Sequence, residues 1–120
     1  MSTRCNIIIR EGKDKILLYH HHDGYPEGVG KDLLNYMQKT CDEHRGVCAE
    51  SVARELVKNE TSRTGLNDNG YVPAICIHYD IEYLYEIDTD RCTLRCWSVR
   101  LDWETGRYKR RRFIDMNDYK

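Results

Sequence analysis

The stretch Tyr19-His20-His21-His22-Asp23-Gly24-Tyr25-Pro26-Glu27-Gly28-Val29-Gly30 constrains this chain more than any other. It continues the apolar run Ile16-Leu17-Leu18, crosses three histidines and an acid, turns at Asp-Gly and Tyr-Pro, and enters a helix near Gly30. Tyr25 precedes a proline and is pushed out of the helical region, so the strand has to end before it. Any fold must therefore fit a strand end, a tight loop and a helix start into this one stretch.

The elements on either side follow from composition and period. Asn6-Ile7-Ile8-Ile9-Arg10 is a β-branched run. A turn at Glu11-Gly12-Lys13-Asp14 leads to a second run, Lys15 to His20, which together predict a β-hairpin. Val29, Leu33, Leu34, Tyr36 and Met37 recur at helical spacing and predict a helix from about Gly30 to about Cys41, with a break at Asp42 to Gly46. Ala49, Val52, Ala53, Leu56 and Val57 mark one face of a second helix, whose other face, Glu50, Arg54, Glu55 and Lys58, is polar. Periodicity is lost from Asn59 to Val72, and a connection of that length predicts an ordered lid or binding loop.

The rest reads as β. Ile81, Tyr83, Tyr85 and Ile87 alternate with Glu82, Leu84 and Glu86, and Trp97, Val99, Leu101 and Trp103 alternate with Cys96, Ser98, Arg100 and Asp102. Turns at Asp88-Thr89-Asp90-Arg91 and Glu104-Thr105-Gly106, then a last arm from Arg107 to Ile114, complete a three-stranded antiparallel meander. The expected fold is one α+β domain over residues 1–120: an antiparallel sheet of about five strands in ββααβββ order, with two helices on one face.

Composition bounds what such a domain does. A chain of 120 residues buries roughly two-thirds of its unfolded surface without disulfide staples. Nineteen basic residues against twenty acidic ones, a net charge of −1, make nucleic acid an unlikely main partner and give no reason for membrane binding. With no long apolar run and no signal-peptide core, the expected location is the cytoplasm. The six cysteines include no C-x2-C pair and several sit in apolar slots, which predicts reduced thiols used as small hydrophobes.

Three groups of residues carry chemistry. His20 and His22 share a strand face, and with Asp23, joined by His44, His78 or Asp80 from elsewhere, they would suit a divalent metal; a polar strand end is the alternative. Gly24, Gly28 and Gly30 lie where backbone N–H groups can hold a phosphate, although structural turns explain them better and Asp23 and Glu27 would repel an anion. Hairpin pairing matches residue 6 roughly to residue 20, which predicts that Arg4, Asn6, His20 and His22 cluster. The basic run Arg107-Tyr-Lys-Arg-Arg-Arg112 reads as a charged edge strand, or as an anion clamp with Tyr108, Arg110 and Arg112 on one face. Nine tyrosines against one phenylalanine suit a wet binding surface.

Ser2-Thr3-Arg4-x-Asn6-Ile7, the Tyr19 stretch with its His-x-Asp-Gly-Tyr-Pro pattern, and Asp80-Ile-Glu-Tyr-Leu-Tyr-Glu-Ile-Asp88 together resemble a group of small, mostly uncharacterised proteins of phages, prophages and gut bacteria. The resemblance singles out Arg4, Asn6, Tyr19, His22, Asp23, Tyr25, Asp80 and Glu82 and brings no catalytic mechanism. It implies a binding role in a host bacterial cytosol, since some small phage proteins sequester the nucleotide signals of bacterial immunity. The expectation is a non-enzymatic, homo-oligomeric protein without cofactor that sequesters a small nucleotide-like anion, such as a cyclic nucleotide or an ADP-ribose derivative. Arg4, Arg110 and Arg112 would meet phosphate; Asn6, His22 and Asp23 would meet base or ribose; Tyr19 or Tyr25 would stack. The alternatives are a metal-dependent phosphodiesterase or nuclease using His20, His22 and Asp23, and an inhibitor that docks on a host protein through its tyrosine-rich sheet and basic edge.

Overall fold

Ile7, Ile8 and Ile9 are all buried, which is the signature of a strand covered on both faces. The structure, a computed structural model, describes residues 3–43, 48–64, 71–75, 77, 81–102, 104–105 and 107–116. The isoleucines lie in β1 (Cys5–Glu11), which pairs antiparallel with β2 (Asp14–His20), Cys5 opposite His20 and Glu11 opposite Asp14. Gly12 begins the two-residue turn at φ 58°, a backbone conformation that only glycine adopts without strain. A π-helical turn (Pro26–Gly30) runs directly into α1 (Lys31–Glu43), and α2 (Ala49–Thr64) follows. The Glu11 carboxylate accepts a hydrogen bond from the Ala49 N–H at 2.7 Å, capping α2 from the hairpin turn.

After α2 come β3 (Tyr71–Pro73), β4 (Tyr83–Asp88), β5 (Thr93–Asp102) and β6 (Arg107–Ile114). They form one six-stranded sheet in the order β3-β2-β1-β4-β5-β6. The α+β class and the β4–β5–β6 meander agree with the sequence reading. Two features do not. The sheet has six strands rather than about five, because Tyr71–Pro73 adds to the outer edge of β2. It is also mixed, because β1 and β4 run parallel, Ile7 opposite Tyr85. The reason is topological: β3 lies at one edge, so the chain has to cross β2 and β1 to reach the place of β4, and it arrives in the direction of β1. The expected lid is overturned in part as well, since Asn59 to Thr64 is helix and Tyr71 to Val72 is strand; residues 65–70 lie outside the described residues.

The two faces of the sheet bury different cores. On the helix side Cys5, Ile7, Ile9, Leu18, Tyr85, Ile87 and Cys96 pack against Leu33, Leu34 and Met37 of α1 and Val52 and Leu56 of α2. On the opposite face Ile8, Leu84 and Val99 pack with Ile81, while Leu17, Tyr19, Ile77 and Trp97 are partly covered. Ile77 and Ile81 belong to the crossover and pack on this face.

Burial holds the thiol of Cys5 well above its ordinary pKa and pushes that of Cys96 up to about 12, as expected of inert, core-filling cysteines. Cys92 departs from the reduced-thiol expectation. It sits exposed in the β4–β5 turn and is disulfide-bonded. Among the described residues, no helix is long and apolar enough to cross a membrane.

Candidate functional site

The loop after β2 is built mainly by backbone. Asp23 takes φ 55°, which a short polar side chain tolerates better than most, and its carbonyl accepts the Val29 N–H at 2.8 Å. The Tyr25 carbonyl accepts the Gly28 N–H, and the Gly24 N–H donates to the Thr3 carbonyl, both at 2.9 Å. The buried Tyr85 hydroxyl donates to the Gly24 carbonyl at 2.7 Å, and desolvation holds its pKa far above the ordinary phenol range. Gly28 is required by crowding, since a Cβ there would overlap the Asp23 carbonyl oxygen. Gly28→Ala is therefore expected to cost about 2–3 kcal/mol, the range for a forced backbone shift, readable as a lower urea midpoint.

The predicted site residues are divided by this geometry. Arg4 Nε donates to His21 Nδ1 at 3.2 Å, and the Tyr19 hydroxyl lies 3.0 Å from the same nitrogen. His21 therefore joins Arg4 and Tyr19; His22 packs edge-on to His21, ring centroids 4.6 Å apart. Asn6 is fully buried and donates to the Leu18 carbonyl at 2.9 Å, which ties β1 to β2. His20 is turned to the helix side, buried edge-on against Tyr71 with centroids 4.7 Å apart. His20 is thus separated from the expected cluster of Arg4, Asn6, His20 and His22. The physical reason is that the strand ends at His20, so the alternation that put His20 and His22 on one face does not continue.

Asp23 and Tyr25 remain exposed, the Tyr25 hydroxyl donating to Asp23 Oδ1 at 3.1 Å. That bond is the main cause that holds the Tyr25 pKa above its ordinary value. Among the described residues no group of three or more His, Cys, Asp or Glu is placed to hold a metal. His44, His78 and Asp80 lie outside the described residues.

Arg110 and Arg112 do not share a face either. A bulge between Ser98 and Val99 leaves Ser98 opposite Arg112 and Val99 opposite Arg110, so Arg111 is the extra residue. Arg110 is turned to the helix-free face. Arg112 lies on the helix side, where its charge acts on Tyr83. Arg4 and Arg110 are three strand spacings apart, roughly 14 Å, and they reach different groups, Arg4 to His21 and Arg110 towards Glu86.

Instead, Arg110 belongs to a constellation that alternation alone did not reveal. Glu86 was expected on the polar side of β4, yet its side chain is only 3 % exposed. Arg10 Nε donates to its Oε2 at 2.8 Å, Arg95 Nη2 donates to its Oε1, and Arg110 Nη2 lies 3.9 Å from Oε2. Burial by itself would raise the Glu86 pKa; the hydrogen bonds and charges of Arg10 and Arg95 outweigh it and hold the carboxyl below its ordinary range. The guanidinium carbons of Arg110 and Arg95 lie 4.0 and 5.3 Å from the Trp97 ring centroid. Phe113 meets Trp97 edge-on at 5.8 Å and is 53 % exposed. The one available signal was an acid at an alternating position of a strand otherwise rich in large side chains, with arginines on three other strands.

Three cations around one carboxylate leave an excess of positive charge beside two aromatic rings. The side chains of Arg10, Arg95 and Arg110 are 41, 49 and 41 % exposed, so the cations also face solvent. Such a surface attracts an anion and orients it by forked hydrogen bonds. No family model, curated protein or solved structure matches this chain, so the phage group remains a resemblance of motifs.

Proposed function

We propose that the chain is a binding protein whose helix-free sheet face holds a small anion that carries an aromatic ring, nucleotide-like in chemistry. The observation that supports this most is the excess of guanidinium over carboxylate around Glu86, set against Trp97 and Phe113. Arg10, Arg95 and Arg110 would receive the phosphate, and Phe113, beside Trp97, would receive the ring.

The groups at this place favour binding over turnover. Guanidinium is protonated throughout the physiological range, and a carboxylate held below its ordinary pKa is a poor base. By the resemblance of its motifs, the proposal extends to sequestering a nucleotide signal of antiphage immunity, a cyclic nucleotide or an ADP-ribose derivative. The Arg4–His21–Tyr19 group, with Tyr19 on the same face, serves in this reading to fix the loop.

The test is depletion. The protein is mixed with a panel of linear and cyclic nucleotides and ADP-ribose, filtered, and heat-denatured, and the released compounds are identified by mass spectrometry. One compound depleted from solution and recovered intact is the expected result. Recovery as a product would make the chain an enzyme, and no depletion of any compound would remove the small-ligand reading.

A further inference from the structure

The outer edge of β6 is the second feature with chemistry that the ligand reading does not use. β6 ends the sheet, runs for eight residues, and among the described residues pairs only with β5. Alternate residues of such a strand direct backbone N–H and C=O groups away from the sheet, which makes it a template for another strand. The opposite edge is a poor template: β3 has three residues and ends on Pro73, which has no N–H to offer.

Charge selects what can pair there. Lys109, Arg110, Arg111 and Arg112 are all exposed. Lys109 is held 3.0 Å from Asp102 and Arg110 is near Glu86, whereas Arg111 and Arg112 make no ion pair among the described residues. A second copy of this chain, pairing edge to edge, would set this cationic run against its own equivalent, and like charges across a strand pair repel. The same run attracts an acidic strand.

The bulge specifies the partner further. Because Arg111 is the inserted residue, Arg110 and Arg112 lie on opposite faces of the sheet. A partner with acids only at alternate positions would satisfy one face. A partner with consecutive acids satisfies both.

We infer that β6 is a docking edge for an extended segment of another protein that carries a run of consecutive Asp or Glu residues and adds to the sheet as a seventh strand. Backbone pairing supplies affinity in this mode, and the side chains supply selectivity. The same edge then excludes self-association.

The experiment uses the whole chain and a ten-residue peptide with four consecutive glutamates between valine and threonine flanks. Calorimetry measures its affinity and hydrogen exchange measures the β6 amides. The expected result is saturable binding with slowed exchange confined to β6. Binding should fall at least tenfold for a peptide N-methylated at alternate residues and for the Arg111→Glu/Arg112→Glu variant, whose melting temperature should match the parent because both side chains are exposed. Absence of binding would overturn the inference, as would equal binding of the N-methylated peptide, which would reduce the edge to a charged surface. Protection outside β6 would also overturn it. None of these outcomes depends on whether the Trp97 face binds a nucleotide.

Discussion

Replacing Glu86 with alanine is expected to cost about 2–4 kcal/mol of stability, somewhat below the usual loss on breaking a buried ion pair because the arginines are half in solvent. The side chain is 3 % exposed and meets Arg10 and Arg95 by hydrogen bonds, with Arg110 close by. Its loss leaves three cations converging on a cavity with no counter-charge. Glu86→Gln separates charge from shape, since it fills the same volume and keeps acceptor capacity at one oxygen. It should be less destabilising than alanine and should bind a phosphate-bearing ligand more tightly than the parent, because the competing internal carboxylate is gone. A purely structural role for the arginines predicts destabilisation without any gain in affinity.

The pH dependence has a definite sign. Glu86 has a folded pKa below its unfolded one, so it stabilises the fold above the unfolded value, near pH 4 to 5. That contribution is lost as the pH falls through the lower, folded pKa. In urea melts the parent should lose stability on acidification more steeply than Glu86→Gln, which has no carboxyl to protonate. Equal slopes would mean that the arginines do not act on this group as described.

The second large effect is on binding. Arg95→Ala combined with Arg110→Ala should lower affinity for a nucleotide-like ligand by about 100-fold or more, about the worth of two charge-assisted hydrogen bonds at 1.5 kcal/mol each. Both guanidiniums lie over Trp97, so some packing is lost too, and a fall in stability of about 1 kcal/mol is expected. Lysine at the two positions should restore part of the affinity, because the charge returns without the planar fork. Unchanged affinity in the double alanine variant, measured by equilibrium dialysis, would remove the site.

Much of the fold was legible because its signals are local. The Gly12 turn fixed the first hairpin, the spacing of Val29 to Met37 and Ala49 to Val57 marked the helices, and alternation from Tyr83 to Val99 marked two strands. The end of α2 was not legible, because Asn59-Glu-Thr-Ser-Arg-Thr64 carries no apolar residue from which a stripe could be read. β3 was missed for its three-residue length and its proline. The parallel pairing of β1 with β4 depends on where the chain crosses, which no local pattern reports.

The candidate site was legible only in pieces. Arg110 was singled out as an anion-binding residue, but its companions lie on β1, β4 and β5. Arg10 and Glu86 are 76 positions apart in the chain. The bulge that separates Arg110 from Arg112 leaves no mark in a run of like residues. The burial of Asn6 and His20 was not legible, because polar residues near a strand end look solvent-facing, whereas here both are inside.

The most direct measurement is a two-dimensional 15N NMR titration with ADP-ribose and with cyclic AMP, following arginine Nε–H and tryptophan indole resonances. The account predicts that Arg10, Arg95, Arg110 and Trp97 shift together and saturate with one of these ligands, while Arg4 stays in place. A saturable shift at Arg4 with Arg95, Arg110 and Trp97 unmoved would contradict it and return the site to the end of the first hairpin.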